Sequence, residues 1–169
     1  MRVRAATPAD AEAVAAIHEV AWGGPLVAGH GTLFDLTTLP TLVALDAADR
    51  IVGALAFRLD ADGLEVVSIA AHPARTGAGT ALLAAAAEQA RRQRQRLWLV
   101  TTNDNLDALR FYQRRGLRIV RVDPGAVDRA RQLKPGIPLI GAYGIPIHDE
   151  LHLELHPQIE PGSRAAGPR

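Results

Sequence analysis

The sequence predicts a single mixed α/β domain built on a sheet of six to seven strands, antiparallel in its first half and partly parallel in its second. Three observations predict it. The 169 residues, 48% hydrophobic and 22% charged, fit one domain with an ordinary core. Between residues 41 and 71, three strand-like runs are separated by two short turn signals, Asp46-Ala-Ala-Asp49 and Asp60-Ala-Asp62-Gly63. Turns that short join antiparallel neighbours. From residue 77 onward helical and strand-like segments alternate, the pattern that brings parallel strands into one sheet.

Taken in order, residues 2–5 read as a short first strand. Thr7-Pro8-Ala9-Asp10 is a helix start, with a capping hydroxyl, proline at the first helical position and an acid in the first turn. Ala11, Val14, Ile17 or His18, and Ala21 continue it at helical spacing, and Gly23-Gly24-Pro25 ends it. A loop to Pro40 is expected, carrying a short helix around Leu33 to Leu36. Strands follow at 41–45, 51–59 and 64–71. The Ala- and Leu-rich stretch 77–92 predicts a strong helix. Residues 96–100 predict a buried strand, 105–115 a helix with Gly116 past its end, and 117–122 another strand. The Gly- and Pro-rich stretch 124–147 predicts irregular chain with a short helix over 126–133. Leu151 to Leu155 alternates as a final strand. A single domain over 1–156 is expected, with a disordered polar tail over 157–169.

Composition removes several classes of function. The net charge of +1 gives no long-range field to gather nucleic acid or an anionic membrane. Eighteen arginines stand against one lysine, Lys134, a bias read as genomic. The chain has no cysteine, so disulfides, thiolate metal sites and cysteine nucleophiles are excluded. The N-terminal residues contain no apolar signal region, and no apolar run approaches the ~20 residues that cross a bilayer. A cytoplasmic protein is expected.

Two segments carry chemistry. Arg75-Thr76-Gly77-Ala78-Gly79-Thr80 stands between a strand and a long helix. Unpaired N–H groups and a partial positive charge at a helix start suit a phosphate, and glycines let the backbone approach it. A glycine pair at this place is also an ordinary tight turn, and the residues alone leave both readings open. A P-loop is excluded because no lysine is near. A Rossmann fingerprint is excluded because Leu82 occupies the place of its third glycine. The second segment, NLDALRFYQRRG from Asn105 to Gly116, follows the apolar run RLWLV. Asn105 and Tyr112 are seven residues apart, hence within about 20° on one helix face and about 10 Å apart along the axis. Each has an ordinary reading, Asn105 as a helix cap and Tyr112 as a core aromatic.

Their conjunction resembles the GCN5-related N-acetyltransferase (GNAT) superfamily. The resemblance spans about residues 2–122. It is most specific in RTGAGTALL and in TTNDNLDALRFYQRRGL, which follows the pattern N-x-x-A-x-x-[FL]-Y-x-x-x-G-[FL]. The segments TTNDN, LKPGIP and GIPIHDE further resemble an uncharacterised actinobacterial-type subgroup. The family usually has Gln or Arg where Ala74 stands, and Arg75 comes one place later in a loop about two residues shorter. The resemblance implies a mixed sheet flanked by helices and splayed between the fourth and fifth strands read above. It implies acetyl-CoA as co-substrate and a primary amine of a small molecule or peptide as acceptor. The CoA pyrophosphate would lie on Gly77, Ala78, Gly79 and Thr80, with Arg75 and Thr76 beside it. The pantetheine arm would run along Ile69, Ala70 and Ala71, near Asn105. Homodimers occur in the family.

Direct transfer has three requirements: a base to neutralise the amine, a donor for the oxyanion, and an acid for the leaving thiolate. A backbone N–H near 69–71 suits the oxyanion. Tyr112, with a phenol pKa near ~10, suits the thiolate. Glu65, at the start of the fourth strand, is the candidate base, against the plain reading of an exposed residue after a turn. His72, at the other end of that strand, reads as a loop residue. His148, Asp149 and Glu150 are candidate acceptor-binding groups, because a cationic amine favours carboxylates. His148, His152 and His156 lack a ligand spacing, and no metal is assigned. The competing readings are a non-catalytic acyl-CoA sensor and a nucleotide-binding α/β protein.

Overall fold

The computed structural model describes residues 1–155; the expected tail, 157–169, and His156 lie outside them. The chain opens with β1 (Arg2–Ala5) and α1 (Ala11–Trp22). Between them a 3₁₀ turn, Pro8–Asp10, begins at Thr7, whose N–H and Oγ1 donate to Asp10 Oδ2 at 2.7 and 2.8 Å. Gly23 ends α1 at φ 68°, in the left-handed region.

The next segment differs from expectation. In place of a loop with a helix around Leu33, β2 (Leu26–Gly29) and β3 (Thr32–Asp35) form a separate antiparallel hairpin. A 3₁₀ turn, Leu36–Thr38, follows. His30 and Gly31, at φ 37° and 80°, make the two-residue connection, and positive φ at both matches the twist of a tight hairpin. Its strands are four residues each, too short for alternation to show in the sequence. Phe34 is the hairpin's buried anchor.

Beyond it run β4 (Thr41–Leu45), β5 (Ile51–Asp60) and β6 (Gly63–Ala71), antiparallel through their short turns. Then come α2 (Ala78–Arg92), β7 (Leu97–Thr102), α3 (Leu106–Gln113), β8 (Leu117–Asp123), α4 (Ala126–Ala130) and β9 (Glu150–Leu155). The main sheet has seven strands in the order β1-β4-β5-β6-β7-β9-β8, and only β6 and β7 pair in parallel. On α2, Leu82, Leu83, Ala86 and Ala90 are buried in the main core with Leu55, Val66 and Leu99. Each such leucine contributes about 1.5–3 kcal/mol. The contact is close at Gly53, where an added Cβ would meet Leu82 Cδ1 at 3.0 Å and Ala78 Cβ at 3.2 Å.

One local irregularity shapes the rest. Ala56 pairs with Ser68 and Phe57 with Val66, which leaves Val67 as the extra residue of a bulge in β6. Bulges bend a strand and sharpen its twist. The parallel pairing of β6 with β7 stops at the same place, covering only 64–66 against 97–99. Beyond Val66 and Leu99 the two strands diverge, so the expected splay is present.

Candidate functional site

The divergence of β6 from β7 opens two cavities, each of about 610 Å³. Ile69 and Tyr112 line both, so the cavities meet at these two side chains.

The first cavity lies between the β6 edge and the starts of α2 and α3. Ile69, Ala70 and Ala71 form one side, on a stretch of β6 that makes no pairing with β7. Its backbone groups on that side are free to bond an extended ligand as an added strand does. The floor is the start of α2, where Gly77 holds φ 90°, a conformation that glycine adopts without penalty. The first amides of α2 have no intrahelical acceptor and point outward. Arg75, itself left-handed at φ 64°, stands on the rim with Gly79 and Thr80. Of the residues expected here, Thr76 and Ala78 do not line the cavity. Thr76 is exposed, and Ala78 is wholly buried against the sheet beneath Gly53.

Arg110, on α3, and Arg115, two residues past its end, line this cavity too, and neither is given a binding role by the sequence. The Arg115 guanidinium lies 3.8 Å from the centre of the Phe111 ring and donates to Phe111 O at 2.9 Å and to Thr80 Oγ1. It therefore ties α3 to the start of α2. Three guanidiniums beside free helix-start amides make the cavity receptive to an anion.

Tyr112 is 8% exposed. Burial pushes its phenol up to about 12, above the value near 10 expected from the sequence, because desolvation disfavours the phenolate. Asn105 caps α3: its Oδ1 accepts from Ala108 N at 3.4 Å and its Nδ2 donates to Thr101 Oγ1 at 3.3 Å. The cap reading holds, and Asn105 lines the second cavity rather than the first.

The second cavity lies under the hairpin and the 124–147 segment. Its walls are largely apolar, including Trp22, Val27, Val100, Val127, Ile137 and Ile147. Glu150, only 2% exposed, lines it. Both carboxylate oxygens accept from the single backbone N–H of His30, at 3.1 and 3.0 Å. Burial raises its pKa.

Glu65 corrects the exposed-residue reading. It is 3% exposed, and its carboxylate pairs with His30 Nε2 at 2.6 Å and Arg58 Nη2 at 2.9 Å. The hydrogen bond to Glu65 holds the His30 pKa above its ordinary value. Glu65 lines neither large cavity, only a recess of about 50 Å³ shared with Glu150. It is committed to two cations, and its recess shares Val66, Val67, Val100 and Glu150 with the wall of the second cavity. His148 and Asp149 also line neither cavity. The first, exposed, pairs with Asp128 at 3.1 Å, and the second accepts from Gly125 N at 2.9 Å. Of the three acceptor candidates, Glu150 alone reaches the cavity. The histidine grouping differs as well: His152 lies near Asp123 and Glu150, with ligand atoms within 4.8 Å of one another. Asp123 is paired with Arg129 at 2.7 Å, and His152 with Arg121 at 2.8 Å. No helix among the described residues is long and apolar enough to cross a membrane.

Comparison with known proteins agrees with this geometry. The sequence model of the acetyltransferase (GNAT) family matches residues 12–117. The uncharacterized protein YdhI of Bacillus subtilis is 38% identical over 131 residues, covering 77% of this chain and 82% of the relative. A Bacillus subtilis acetyltransferase solved in complex with CoA superposes with a TM-score of 0.71 at 21% identity, over 92% of this chain and 98% of that one. A ribosomal-protein-alanine N-acetyltransferase from Brucella melitensis gives 0.64 at 22% identity, over 91% and 98%. At those identities the two structures speak to the fold.

Proposed function

The chain belongs to the acetyltransferase (GNAT) family, whose donor is acetyl-CoA, and from this premise we propose that it moves the acetyl group to a primary amine inside a ternary complex. The observation that carries the reading is the meeting of the two cavities at Ile69 and Tyr112. One cavity suits a phosphate-bearing carrier, the other has room for an acceptor, and they touch where a thioester would have to be. The pyrophosphate would rest on the amides at the start of α2, with Arg75, Arg110 and Arg115 around it. The pantetheine would extend along 69–71. Residues 1–156 would form the one catalytic domain. The actinobacterial-type subgroup rests on its three segments alone, and the relative described above is from Bacillus.

The chemistry balances as follows. Glu150 takes one proton from the ammonium, and the neutral nitrogen attacks the thioester carbon. The oxyanion is held by a backbone N–H of β6. The C–S bond breaks and the thiolate receives the Tyr112 proton. The remaining N–H⁺ proton returns to the phenolate oxygen, and Glu150 releases its own to solvent. The products are the acetamide, CoA thiol and one proton. A phenol at about 12 is a weak acid against a free thiol near about 8.5. The same dry surroundings raise the thiol, so the two come closer, and the phenol remains a full hydrogen-bond donor at neutral pH.

Two measurements test this reading. Acetyl-CoA and a panel of amines should release CoA thiol in step with acetamide; a chain that binds CoA tightly and releases none with any amine is a binding module instead. Because the Glu150 pKa is raised, its carboxylate accepts protons only above the ordinary carboxyl range. The rate at low substrate should then fall tenfold per pH unit on the acid side, with the break above pH ~4.3. Glu150→Gln should lose that limb.

A further inference from the structure

We propose that the acceptor is a compact amine with one cationic nitrogen and an apolar body, seated with its ammonium against Glu150. This inference rests on the acetyl-transfer reading and narrows it.

Glu150 and Glu65 lie on neighbouring parts of the same sheet and are equally buried. Glu65 has two cations against it, His30 and Arg58. Glu150 has one backbone N–H and no ion pair among the described residues. His30 and Arg129 act on it from a distance and Asp123 opposes them, but none pairs with it; a buried carboxylate without a contacting cation gains from one, and burial already disfavours its ionised form. A bound ammonium supplies the charge. The other charged groups on the cavity wall are already engaged. Asp104 accepts from Thr102 Oγ1 at 2.5 Å and from Ala142 N at 2.9 Å, one bond on each oxygen. Lys134 Nζ donates to Leu26 O at 2.7 Å. A second ammonium would find no carboxylate in want of a partner.

The remaining wall points the same way. Ser68 Oγ is buried, lines this cavity and has no hydrogen-bond partner, so it offers one further polar contact near the head of the ligand. Trp22, Val27, Val100, Val127, Ile137 and Ile147 face the body and reward apolar surface. The Lys134–Leu26 bond joins the 124–147 segment to the hairpin, linking these two walls of the cavity into one roof. A space of about 610 Å³ under such a roof accepts a small ligand.

Three probes separate the alternatives on the full chain: n-hexylamine, 1,6-diaminohexane and the peptide Ala-Gly-Gly. The expected ranking by kcat/KM puts n-hexylamine at least tenfold ahead of the other two. From n-propylamine to n-hexylamine the constant should rise by up to about fourfold per methylene. Glu150→Gln should lower kcat/KM for n-hexylamine by about 10²-fold and leave the Kd of CoA unchanged. If the diamine or the peptide leads the ranking, or kcat/KM is flat along the alkyl series, this inference is overturned while the transfer reading stands. If no amine is acetylated although CoA binds, the transfer reading falls and takes this one with it. The ranking is made on the unaltered protein, so it decides the matter even if the Gln variant does not fold.

Discussion

The two cavities that meet at Tyr112 are built in opposite ways. The side proposed for the donor is made of regular elements and backbone: an unpaired stretch of β6, the start of α2 at a left-handed Gly77, and the guanidiniums of Arg75, Arg110 and Arg115. The acceptor side is made of side chains carried on a short hairpin and on the long segment after β8. A carrier common to many enzymes can be held by peptide groups, which any sequence supplies once the backbone is right. An acceptor particular to one enzyme has to be held by side chains, and these sit on the segments where change disturbs the fold least. The difference predicts that substitutions will divide into those that alter donor constants and those that alter acceptor constants, with Tyr112 the exception that alters turnover for both.

The largest effect is therefore expected at Tyr112. Tyr112→Phe keeps the ring against Phe111 and removes only the hydroxyl. Turnover should fall about 10²-fold, with the Kd of CoA unchanged in calorimetry; an unchanged kcat would remove the phenol from the chemistry. Next comes Gly79→Val, which places atoms on the donor wall where even a Cβ would lie 3.4 Å from Phe111 Cζ. Overpacking of this kind should raise the KM for acetyl-CoA about tenfold and leave the amine KM within twofold. Equal changes in both constants would mean that the two cavities do not act separately.

The donor side was legible in the sequence because its determinants are local. A glycine pair ahead of an apolar helix is a pattern within a few turns of chain, whereas Asn105, expected beside the carrier, caps α3 and lines the other cavity. The antiparallel run β4-β5-β6 was legible for the same reason, since its turns are short. The side proposed for the acceptor was legible only through Glu150. His30 reaches Glu150 across 120 positions and Glu65 across 35, and no periodicity connects residues that far apart. The hairpin was missed because four-residue strands leave no alternation to count. For Glu65 the sequence left a base and an exposed residue both open, because its position just after a turn gave no sign of Arg58 beside it or the hairpin above it.

A smaller effect, confined to the acceptor side, is expected at Asp104. Its Oδ2 takes the Ala142 N–H, and the chain passes so close that a Cβ on Gly141 would lie 2.0 Å from that oxygen. Asp104→Ala leaves the Ala142 and Thr102 donors unanswered, a cost of about 1–3 kcal/mol in stability. The wall from 134 to 147 should loosen, raising the amine KM roughly three- to tenfold while the acetyl-CoA KM holds. A rise in the acetyl-CoA constant instead would place this loop on the donor side.

The smallest effect should come from a cluster that touches neither cavity. Asp10 accepts two hydrogen bonds from Arg4, at 2.6 and 2.8 Å, and two from Thr7. The Arg4 guanidinium first, and Thr7 second, hold its carboxyl well below the usual range. A carboxyl depressed in the folded state stabilises the protein above its unfolded pKa, near about 3.9, and loses that contribution as pH falls through the folded value. Asp10→Asn should therefore lower Tm by about 2–4 °C at pH 7, and the gap from the unaltered protein should narrow as pH falls below ~3.9 and close only below the depressed folded value. Both KM values should remain as they were. If Asp10→Asn changed either KM at a temperature well below its Tm, the acceptor and donor constants would be responding to general loosening of the sheet. The separation of the two sides would then have to be rebuilt from substitutions matched for stability.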